Sequence, residues 1–233
     1  IVIMSESDLA KKMEVLRSNR DFRALPEEKI QELAALAIRI PFKKGEFIFH
    51  AGDPSDYCHV VESGFILLSK ESSTGKSIAF SLLEKGYTLN AVTCFKPCPR
   101  YFSARAVKNA SVLAIPGKEF KEWVLKNPEV TEIIICTLGE LLDAAYHRFM
   151  DFVNENAEQR VINTLCMISS RMGPSLPLTN KDLADLIGTA GETVARAIVN
   201  LQKSGLLSKS RGQITIANVA QLKLLSTSPT IFI

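Results

Sequence analysis

The chain has 233 residues, of which 46% are hydrophobic and 23% are charged, and its net charge is +3. This composition suits a globular protein with two domains of ordinary size, and it excludes a membrane-spanning helix because no segment approaches about 18 consecutive apolar residues. The five cysteines follow no repeated framework, which disfavours a disulfide scaffold, so reduced thiols are expected.

Basic residues concentrate toward the C-terminus. From residue 156 onward the chain has eight Lys and Arg against four Asp and Glu, whereas the remainder has 20 against 21. Such asymmetry is typical of a nucleic-acid-binding module beside a neutral one. The first residues lack a basic segment followed by a long apolar one, so we predict a cytoplasmic protein without a membrane partner.

Short apolar segments alternate with turn signals between Phe42 and Ile115. The glycines at 45, 52, 64, 75 and 86 separate these segments at intervals that fit short strands joined by tight turns. The pattern therefore predicts an antiparallel barrel or sandwich in the first half of the chain.

A pair of cysteines, Cys94 and Cys98, lies near the end of this region, with Lys96 and Arg100 close in sequence. Neighbouring cations lower the pKa of a thiol, so a redox switch formed by the two cysteines is one hypothesis. Two structural thiols are the alternative. The spacing lacks the second pair of ligands that a metal site requires, so no metal site is predicted.

A long helix is predicted from Pro128 to Phe152, where Gly139 is the only internal helix breaker. Its apolar residues recur at spacings of three and four and form a stripe that needs a surface to cover it. That surface is either the helix's own domain or a second subunit. The predicted stripe consists of Ile134, Leu138, Leu141, Ala145, Phe149 and Phe152.

Two short helices separated by a glycine are predicted between Leu178 and Gly205. Thr179 and Asp182 have the spacing of a capping box at the start of the first helix, and Gly188 ends that helix. Thr189 is predicted to cap the second helix, which Gly205 ends. This arrangement is typical of a helix-turn-helix.

The second of these helices has two distinct faces. Val194, Ile198 and Leu201 share one face, while Glu192 and Arg196 lie four residues apart on the opposite one. Arginine can donate two hydrogen bonds to guanine and glutamate can accept one from cytosine, so this pair is predicted to read base edges in a major groove. The alternative is an ion pair on a solvated helix.

Polar residues near the helix starts are predicted to hold DNA phosphates, as such positions commonly do. The segment after Gly205 reads as two short strands around a basic turn, which is a wing. The predicted phosphate contacts are Asn180, Lys181, Thr189 and Thr193 on the helices and Lys209 and Arg211 in the wing.

The segment from Glu192 to Arg196 after the Gly188 turn, with the upstream pattern KKGEFIFHAGDPSDYCHVVESG, resembles the CRP/FNR family of bacterial transcription regulators. The resemblance covers nearly the whole chain. It implies an α+β fold with a cyclic-nucleotide-binding-like antiparallel β-roll and flanking helices (1–127), a dimerisation helix and hinge (128–155), and a winged helix-turn-helix (156–233).

The resemblance also implies a function. The expected protein is a homodimer that binds double-stranded DNA at a palindromic TTGA or TGA-type operator, under allosteric control by an effector in the β-roll. Activation of transcription with RNA polymerase as partner is the commoner outcome in the family. Gly191 stands where some members have a further base-reading arginine, which leaves the outer base of the half-site open.

The effector follows less directly from the resemblance. The family's cyclic-nucleotide cassette falls on Asn90 and Ala91, on Arg100 followed by Tyr101, and on Ala145 with Tyr146 of the long helix. Only the arginine is retained, so cyclic AMP is disfavoured, and Arg100 is expected to bind another anion or a local carboxylate.

Other sensing chemistries stay open at this point. Haem or nitric oxide sensing could use His50, His59, His147 or Cys98, and a small organic effector and thiol redox chemistry are further alternatives. No cysteine precedes Cys58, so the iron–sulfur site of the oxygen-sensing members is not expected. An enzyme finds no support in any catalytic spacing, and a sensory scaffold that does not bind DNA is the remaining rival.

Overall fold

The computed structural model describes residues 6–89, 91–96 and 98–228. Asn90, predicted to lie in the effector pocket, falls outside the described residues. The helices are α1 (Glu6–Ser18), α2 (Glu27–Leu36), α3 (Gly117–Lys126), α4 (Pro128–Asn154), α5 (Ala157–Met172), α6 (Asn180–Ile187), α7 (Gly191–Lys203) and α8 (Val219–Leu225), and a short 3₁₀ helix spans Ala91–Cys94.

The strands of the N-terminal half confirm the predicted antiparallel β-roll. Two sheets have the strand orders β1-β7-β3 and β2-β6-β4-β5, and a third sheet near the C-terminus has the order β8-β10-β9. The strands are β1 (Ile38–Phe42), β2 (Phe47–Phe49), β3 (Tyr57–Ser63), β4 (Ile66–Glu71), β5 (Ser77–Leu83), β6 (Ser103–Ala106), β7 (Ala110–Pro116), β8 (Ser175–Leu176), β9 (Leu207–Ser210) and β10 (Gln213–Ile216).

The chain forms two compact units. The first unit contains the described residues up to Leu68 together with Leu82–Thr137, and the second contains Ser69–Ser81 together with the described residues from Leu138 onward. The division therefore falls inside α4 rather than at one of its ends. The tip of the β4–β5 hairpin belongs to the second unit.

Strands β3 and β7 of the first unit are buried on both faces. Successive side chains of a strand point to opposite faces, so each strand contributes to two cores. Val60 and Leu113 lie in the core shared with α1, α2 and α3, while their neighbours Val61 and Val112 lie in the core between the two sheets. Gly64 ends β3 with a φ of 79°, and an added Cβ there would lie 2.4 Å from the Asn109 carbonyl oxygen, so the turn requires glycine.

Helix α4 exposes most of its predicted apolar stripe within the single chain. Leu138, Leu141 and Phe149 are 38%, 44% and 65% exposed, and Ala145 is exposed as well. Two of the predicted stripe residues have contacts within their own unit. Ile134 packs against the helical core of the first unit, and the Phe152 ring lies 4.9 Å from the Arg160 guanidinium in the second unit.

The sequence pattern missed further exposed apolar residues on α4. Ile135, Leu142, Tyr146, Met150 and Val153 are each more than half exposed. With the predicted residues they make a continuous apolar surface along the helix, with spacings of three and four. Periodicity identified the helix correctly but placed the centre of its apolar surface about one residue away.

In the second unit, Arg148 links the β4–β5 hairpin to α6. Its guanidinium donates hydrogen bonds to the backbone carbonyls of Ala79 (3.1 Å), Phe80 and Leu186 (2.7 Å). Burial lowers the pKa of Arg148, and the three carbonyl acceptors partly compensate for the lost hydration. Sequence spacing gave no signal for this contact because its acceptors are backbone groups.

Candidate functional site

The first helix of the helix-turn-helix begins at the predicted capping box. The Thr179 hydroxyl accepts a hydrogen bond from the Asp182 backbone N–H at 3.1 Å, and the Asp182 carboxylate accepts one from the Thr179 N–H at 2.9 Å. These bonds satisfy two backbone donors at the start of α6. Leu183, Leu186 and Ile187 are buried, as the pattern predicted.

Gly188 makes the turn between the two helices. Its φ of 66° and ψ of 42° are left-handed, and its N–H donates to the Ala184 carbonyl. A Cβ at this position would lie 2.5 Å from the Phe152 ring. Glycine is therefore required both by the backbone conformation and by the close approach of Phe152.

The start of the second helix corrects one prediction. Helix α7 begins at Gly191 after Ala190, and no side chain caps it, so the predicted cap at Thr189 is wrong. The Thr189 backbone N–H instead donates to the Ala184 carbonyl at 3.1 Å, within the turn that ends α6. Thr189 therefore belongs to that turn, and α7 starts after it.

Helix α7 has the two faces that were predicted. Val194, Ile198 and Leu201 are 0%, 1% and 4% exposed, while Glu192 and Arg196 are exposed on the other side. Within the described ranges, no side-chain hydrogen bond or ion pair engages Glu192 or Arg196. Because the two side chains do not pair with each other, both are available to a partner.

The wing and the first helix meet through a side-chain hydrogen bond. Lys209 lies on β9 and its ammonium donates to the Asn180 amide oxygen at 2.5 Å, which brings together two of the predicted phosphate contacts. Arg211 is exposed in the turn between β9 and β10, where Ser210 pairs with Gln213. Of the other predicted contacts, Lys181 is exposed, and Thr189 and Thr193 are half-buried.

Arg100 is a buried cation of the β-roll, at 3% exposure. Its guanidinium donates to the Thr93 hydroxyl at 2.9 Å and to the Tyr57 carbonyl, and lies 4.3 Å from the centre of the Phe49 ring. The expected ion pair with a local carboxylate is absent from the described part of the chain, and Nε has no hydrogen-bond partner there. Burial lowers the Arg100 pKa, while nearby cysteines and aspartates oppose that shift.

The other predicted pocket residues are less enclosed. Ala91 begins the 3₁₀ helix and is half-buried, and Tyr101 is 62% exposed. Ala145 and Tyr146 are exposed on α4 in the second unit. Arg100 is thus the only one of these described residues with a buried polar group.

Cys94 and Cys98, the two cysteines of the redox hypothesis, have different surroundings. Cys94 packs against the core that contains Cys58 of β3, and each of these two thiols shifts the pKa of the other. Cys98 is half-buried, and its carbonyl accepts a hydrogen bond from the Ser55 hydroxyl at 3.0 Å. Sequence spacing gave no signal for Cys58, which is far from Cys94 along the chain.

The histidines considered as haem ligands differ in environment. His50 and His147 are exposed, and the His50 ring stacks on Phe47 at 4.2 Å. His59 is buried beside Phe49, and burial followed by the Arg100 charge lowers its pKa to about 3. Across the described ranges, no group of three or more His, Cys, Asp and Glu side chains is placed to hold a metal ion. None of the described helices is long and apolar enough to span a membrane.

Two families of domain match this chain. Residues 39–127 match the cyclic nucleotide-binding domain, and residues 159–225 match the Crp-like helix-turn-helix domain. The first match covers most of the β-roll and the second covers α6, α7 and the wing.

Relatives of known function align along most of the chain. The CRP-like cAMP-activated global transcriptional regulator of Mycobacterium tuberculosis is 20% identical over 217 residues, which cover 90% of this chain and 97% of that protein. The anaerobic regulatory protein of Bacillus subtilis is 24% identical over 185 residues, which cover 76% of this chain and 78% of that protein.

Solved structures share the fold. The c-di-GMP-responsive global regulator CLP of Xanthomonas campestris superimposes with a TM-score of 0.72 at 17% identity, covering 83% of this chain and 100% of that one. The matched domains and relatives are those of transcription regulators rather than enzymes. The chain belongs to the CRP/FNR family and is a DNA-binding transcription regulator with a cyclic-nucleotide-binding domain and a helix-turn-helix.

Proposed function

We propose that the protein is a homodimer that reads a palindromic DNA operator with two copies of α7, and that an effector bound in the β-roll controls its affinity for DNA. The observation that carries the proposal is the exposure of Glu192 and Arg196 side by side on α7, opposite its buried stripe. Both charged groups point away from the core and have no competing partner in the described ranges.

The two side chains suit the edges of a G·C-containing half-site. The Arg196 guanidinium can donate to guanine O6 and N7, and the Glu192 carboxylate can accept from cytosine N4. Each such contact discriminates against a wrong base by about 1 to 3 kcal/mol. A TGA-type half-site offers a G·C pair to this helix.

Phosphate contacts would fix the register of α7 in the groove. Lys181 at the start of α6 and Arg211 at the tip of the wing are exposed cations on either side of the recognition helix in the sequence. The bond between Lys209 and Asn180 holds the wing against the start of α6. Such contacts position a protein on DNA and carry no base information themselves.

The apolar surface of α4 supports a second copy of the chain as its partner. Leu138, Leu142, Phe149 and Val153 are exposed at spacings of four and seven residues, which is the pattern of a helix that pairs with its own copy. A two-fold dimer brings identical surfaces together, so one apolar stripe covers another. Two recognition helices would then meet half-sites about 34 Å apart, which is why the operator would be palindromic.

Arg100 supports an effector site in the β-roll. It is a buried cation whose Nε lacks a partner among the described residues, so an anionic or hydrogen-bonding effector would gain a contact there. Ala91 has no carboxylate to hold a ribose hydroxyl, so cyclic AMP stays disfavoured, whereas a small organic molecule, haem with nitric oxide, and thiol chemistry remain alternatives. A coupling free energy of about 1 to 3 kcal/mol between effector and DNA is ordinary. Activation through RNA polymerase is the outcome we propose.

Fluorescence anisotropy tests the DNA proposal. The chain is titrated into a labelled TTGA-N6-TCAA duplex and into a scrambled duplex of equal composition, at several salt concentrations. We expect tighter binding to the palindrome and a linear fall of log K with log salt, with a slope of about −0.9 for each phosphate neutralised. Equal binding to both duplexes under oxidising, reducing and effector-supplemented conditions would favour the sensory scaffold instead.

Sedimentation equilibrium tests the dimer. Leu142→Lys places a charge in the exposed stripe, and we expect it to shift the protein from dimer to monomer and to weaken operator binding. Asp143→Lys is the matched control, because Asp143 is exposed on the adjoining polar face of α4. A wild-type mass of one chain, or an equal shift by both variants, would contradict the proposed interface.

A further inference from the structure

Two cysteines distant in sequence lie side by side in the β-roll. Cys58 on β3 is fully buried and stands opposite Ile115 of β7. Cys94 ends the 3₁₀ helix, is half-buried, and packs into the same core as Cys58. Each thiol shifts the pKa of the other, as two neighbouring thiols do. The fold therefore places a fully buried cysteine beside a half-buried one.

Arg100 holds the two cysteine-bearing segments together. It donates to the carbonyl of Tyr57 and to the hydroxyl of Thr93, the residues that immediately precede Cys58 and Cys94. Both bonds are made by one rigid guanidinium, so they fix the spacing of the two segments. Arg100 is almost completely buried, and its Nε has no partner in the described part of the chain.

A glycine allows the close packing around Cys94. A Cβ on Gly117 would lie 3.3 Å from the Cys94 sulfur and 3.0 Å from the carbonyl oxygen of Asp56. Gly117 starts α3, and its N–H donates to the Asp56 carbonyl at 2.7 Å. The Cys94 sulfur thus lies close to the backbone that leads into β3, and this packing does not depend on whether the sulfur is a thiol or a thiolate.

The two thiols differ in chemical character. The neighbouring Cys58 thiol and the positive charge of Arg100 lower the pKa of Cys94, although burial opposes them. The neighbouring Cys94 thiol and complete burial raise the pKa of Cys58. A thiolate is the reactive form of cysteine, so Cys94 is the attacking group and Cys58 is the resolving group.

We propose that Cys58 and Cys94 are a peroxide-reactive pair that forms a reversible disulfide beside Arg100. The Cys94 thiolate, whose proton has gone to solvent, attacks a hydroperoxide oxygen. The O–O bond breaks, and Cys94 becomes a sulfenic acid while hydroxide or an alkoxide leaves and takes up a proton. The Cys58 sulfur then attacks Cys94, the S–O bond breaks, and water leaves with the Cys58 proton.

The electrons balance, since two thiols lose two electrons and one hydroperoxide gains them. An added dithiol reverses the reaction by exchange. A disulfide has an S–S length of about 2.05 Å, so the two cysteine side chains or the segments that carry them must move closer together when it forms. That movement would disturb the two bonds made by Arg100.

Peptide mapping of the full-length protein tests the pairing without DNA or effector. The reduced protein is treated with one equivalent of hydrogen peroxide, blocked with N-ethylmaleimide under denaturing conditions, and analysed by intact mass and after trypsin digestion. We expect a loss of two hydrogen atoms, protection of two of the five cysteines, and a cross-linked pair of tryptic peptides whose fragmentation places the bond between Cys58 and Cys94 and N-ethylmaleimide on Cys98. Dithiothreitol should restore all five thiols.

Two variants separate this pair from the other cysteines. Cys94→Ser should abolish the cross-linked peptide, while Cys98→Ser should leave its yield unchanged. A Cys94–Cys98 link, an unreacted protein, or oxidation of exposed Cys136 alone would overturn the proposal. If a Cys58→Ala variant disturbs the buried core, the cross-link in the wild-type protein still decides the question. Absence of that cross-link would leave the DNA-reading proposal intact.

Discussion

Acidification should lower the free energy of unfolding of the first unit through His59. The His59 ring is buried at 7% exposure, and its pKa is lowered to about 3, first by burial and then by the Arg100 charge. An unfolded histidine has a pKa of about 6.5. Between about pH 3 and pH 6.5 the unfolded chain therefore binds a proton at His59 that the folded chain does not bind. The free energy of unfolding is at its full value above about pH 6.5 and falls as the pH drops toward 3.

The magnitude follows from the difference in proton binding. At pH 5 the unfolded histidine is charged and the folded one is neutral, and a difference of about 1.5 pH units below the unfolded pKa costs about 2 kcal/mol in the free energy of unfolding. The three carboxylates with shifted pKa values, Asp8, Glu14 and Glu62, contribute little above pH 5, because those values lie below their ordinary range.

Urea unfolding followed by tryptophan fluorescence measures this effect. The single tryptophan, Trp123, is buried against Phe22 and Phe120 in the core of the first unit, so it reports on the unit that contains His59. We expect the wild-type unfolding free energy to fall by about 2 kcal/mol between pH 7.5 and pH 5. His59→Gln should lose most of this dependence.

His50→Gln is the matched control, because His50 is exposed and its loss should leave the pH dependence unchanged. A wild-type protein equally stable at the two pH values would refute the reasoning. The same conclusion would follow if His50→Gln, rather than His59→Gln, removed the slope.

Two further substitutions test the geometry around the recognition helix. Thr179→Ala removes the capping box of α6 and should lower the free energy of unfolding by about 1 kcal/mol. Thr189→Ala, at a position where no cap forms, should lower it by only a few tenths of a kcal/mol. Equal losses of stability in thermal or urea unfolding would contradict the observed caps. Gly188→Ala places an alanine in a left-handed conformation against Phe152, and it should lower the free energy of unfolding by at least about 1 to 2 kcal/mol and weaken DNA binding. Adding Phe152→Leu should recover part of the lost stability. An unchanged free energy of unfolding in Gly188→Ala would argue against the contact with Phe152.

Local signals predicted the helix-turn-helix well. Thr179, Asp182 and Gly188 act within a few residues of themselves, so their roles depend on short-range hydrogen bonds and backbone conformation that the sequence contains. The buried and exposed faces of α7 follow from helical periodicity alone. Thr189 was misassigned because α7 starts one residue later than expected, with Ala190 at the cap position, and Thr189 belongs to the turn that ends α6.

Long-range contacts were beyond the sequence. Cys58 meets Cys94 only because β3 and the 3₁₀ helix are adjacent in the folded roll, and no spacing signals it. Periodicity along α4 showed that a surface needs covering but could not tell which residues their own unit covers. Ile134 and Phe152 are covered in part within the chain, whereas Leu142 and Val153 are left exposed.

The central claim is that Glu192 and Arg196 read base edges. Selection of bound duplexes from a library with randomised half-sites, followed by sequencing, tests it for the wild type, Arg196→Ala and Arg211→Ala. We expect Arg196→Ala to lose the preference for one guanine in each half-site, equivalent to about 1 to 3 kcal/mol, while Arg211→Ala binds more weakly with the wild-type preference intact. An unchanged base preference in Arg196→Ala would contradict the account.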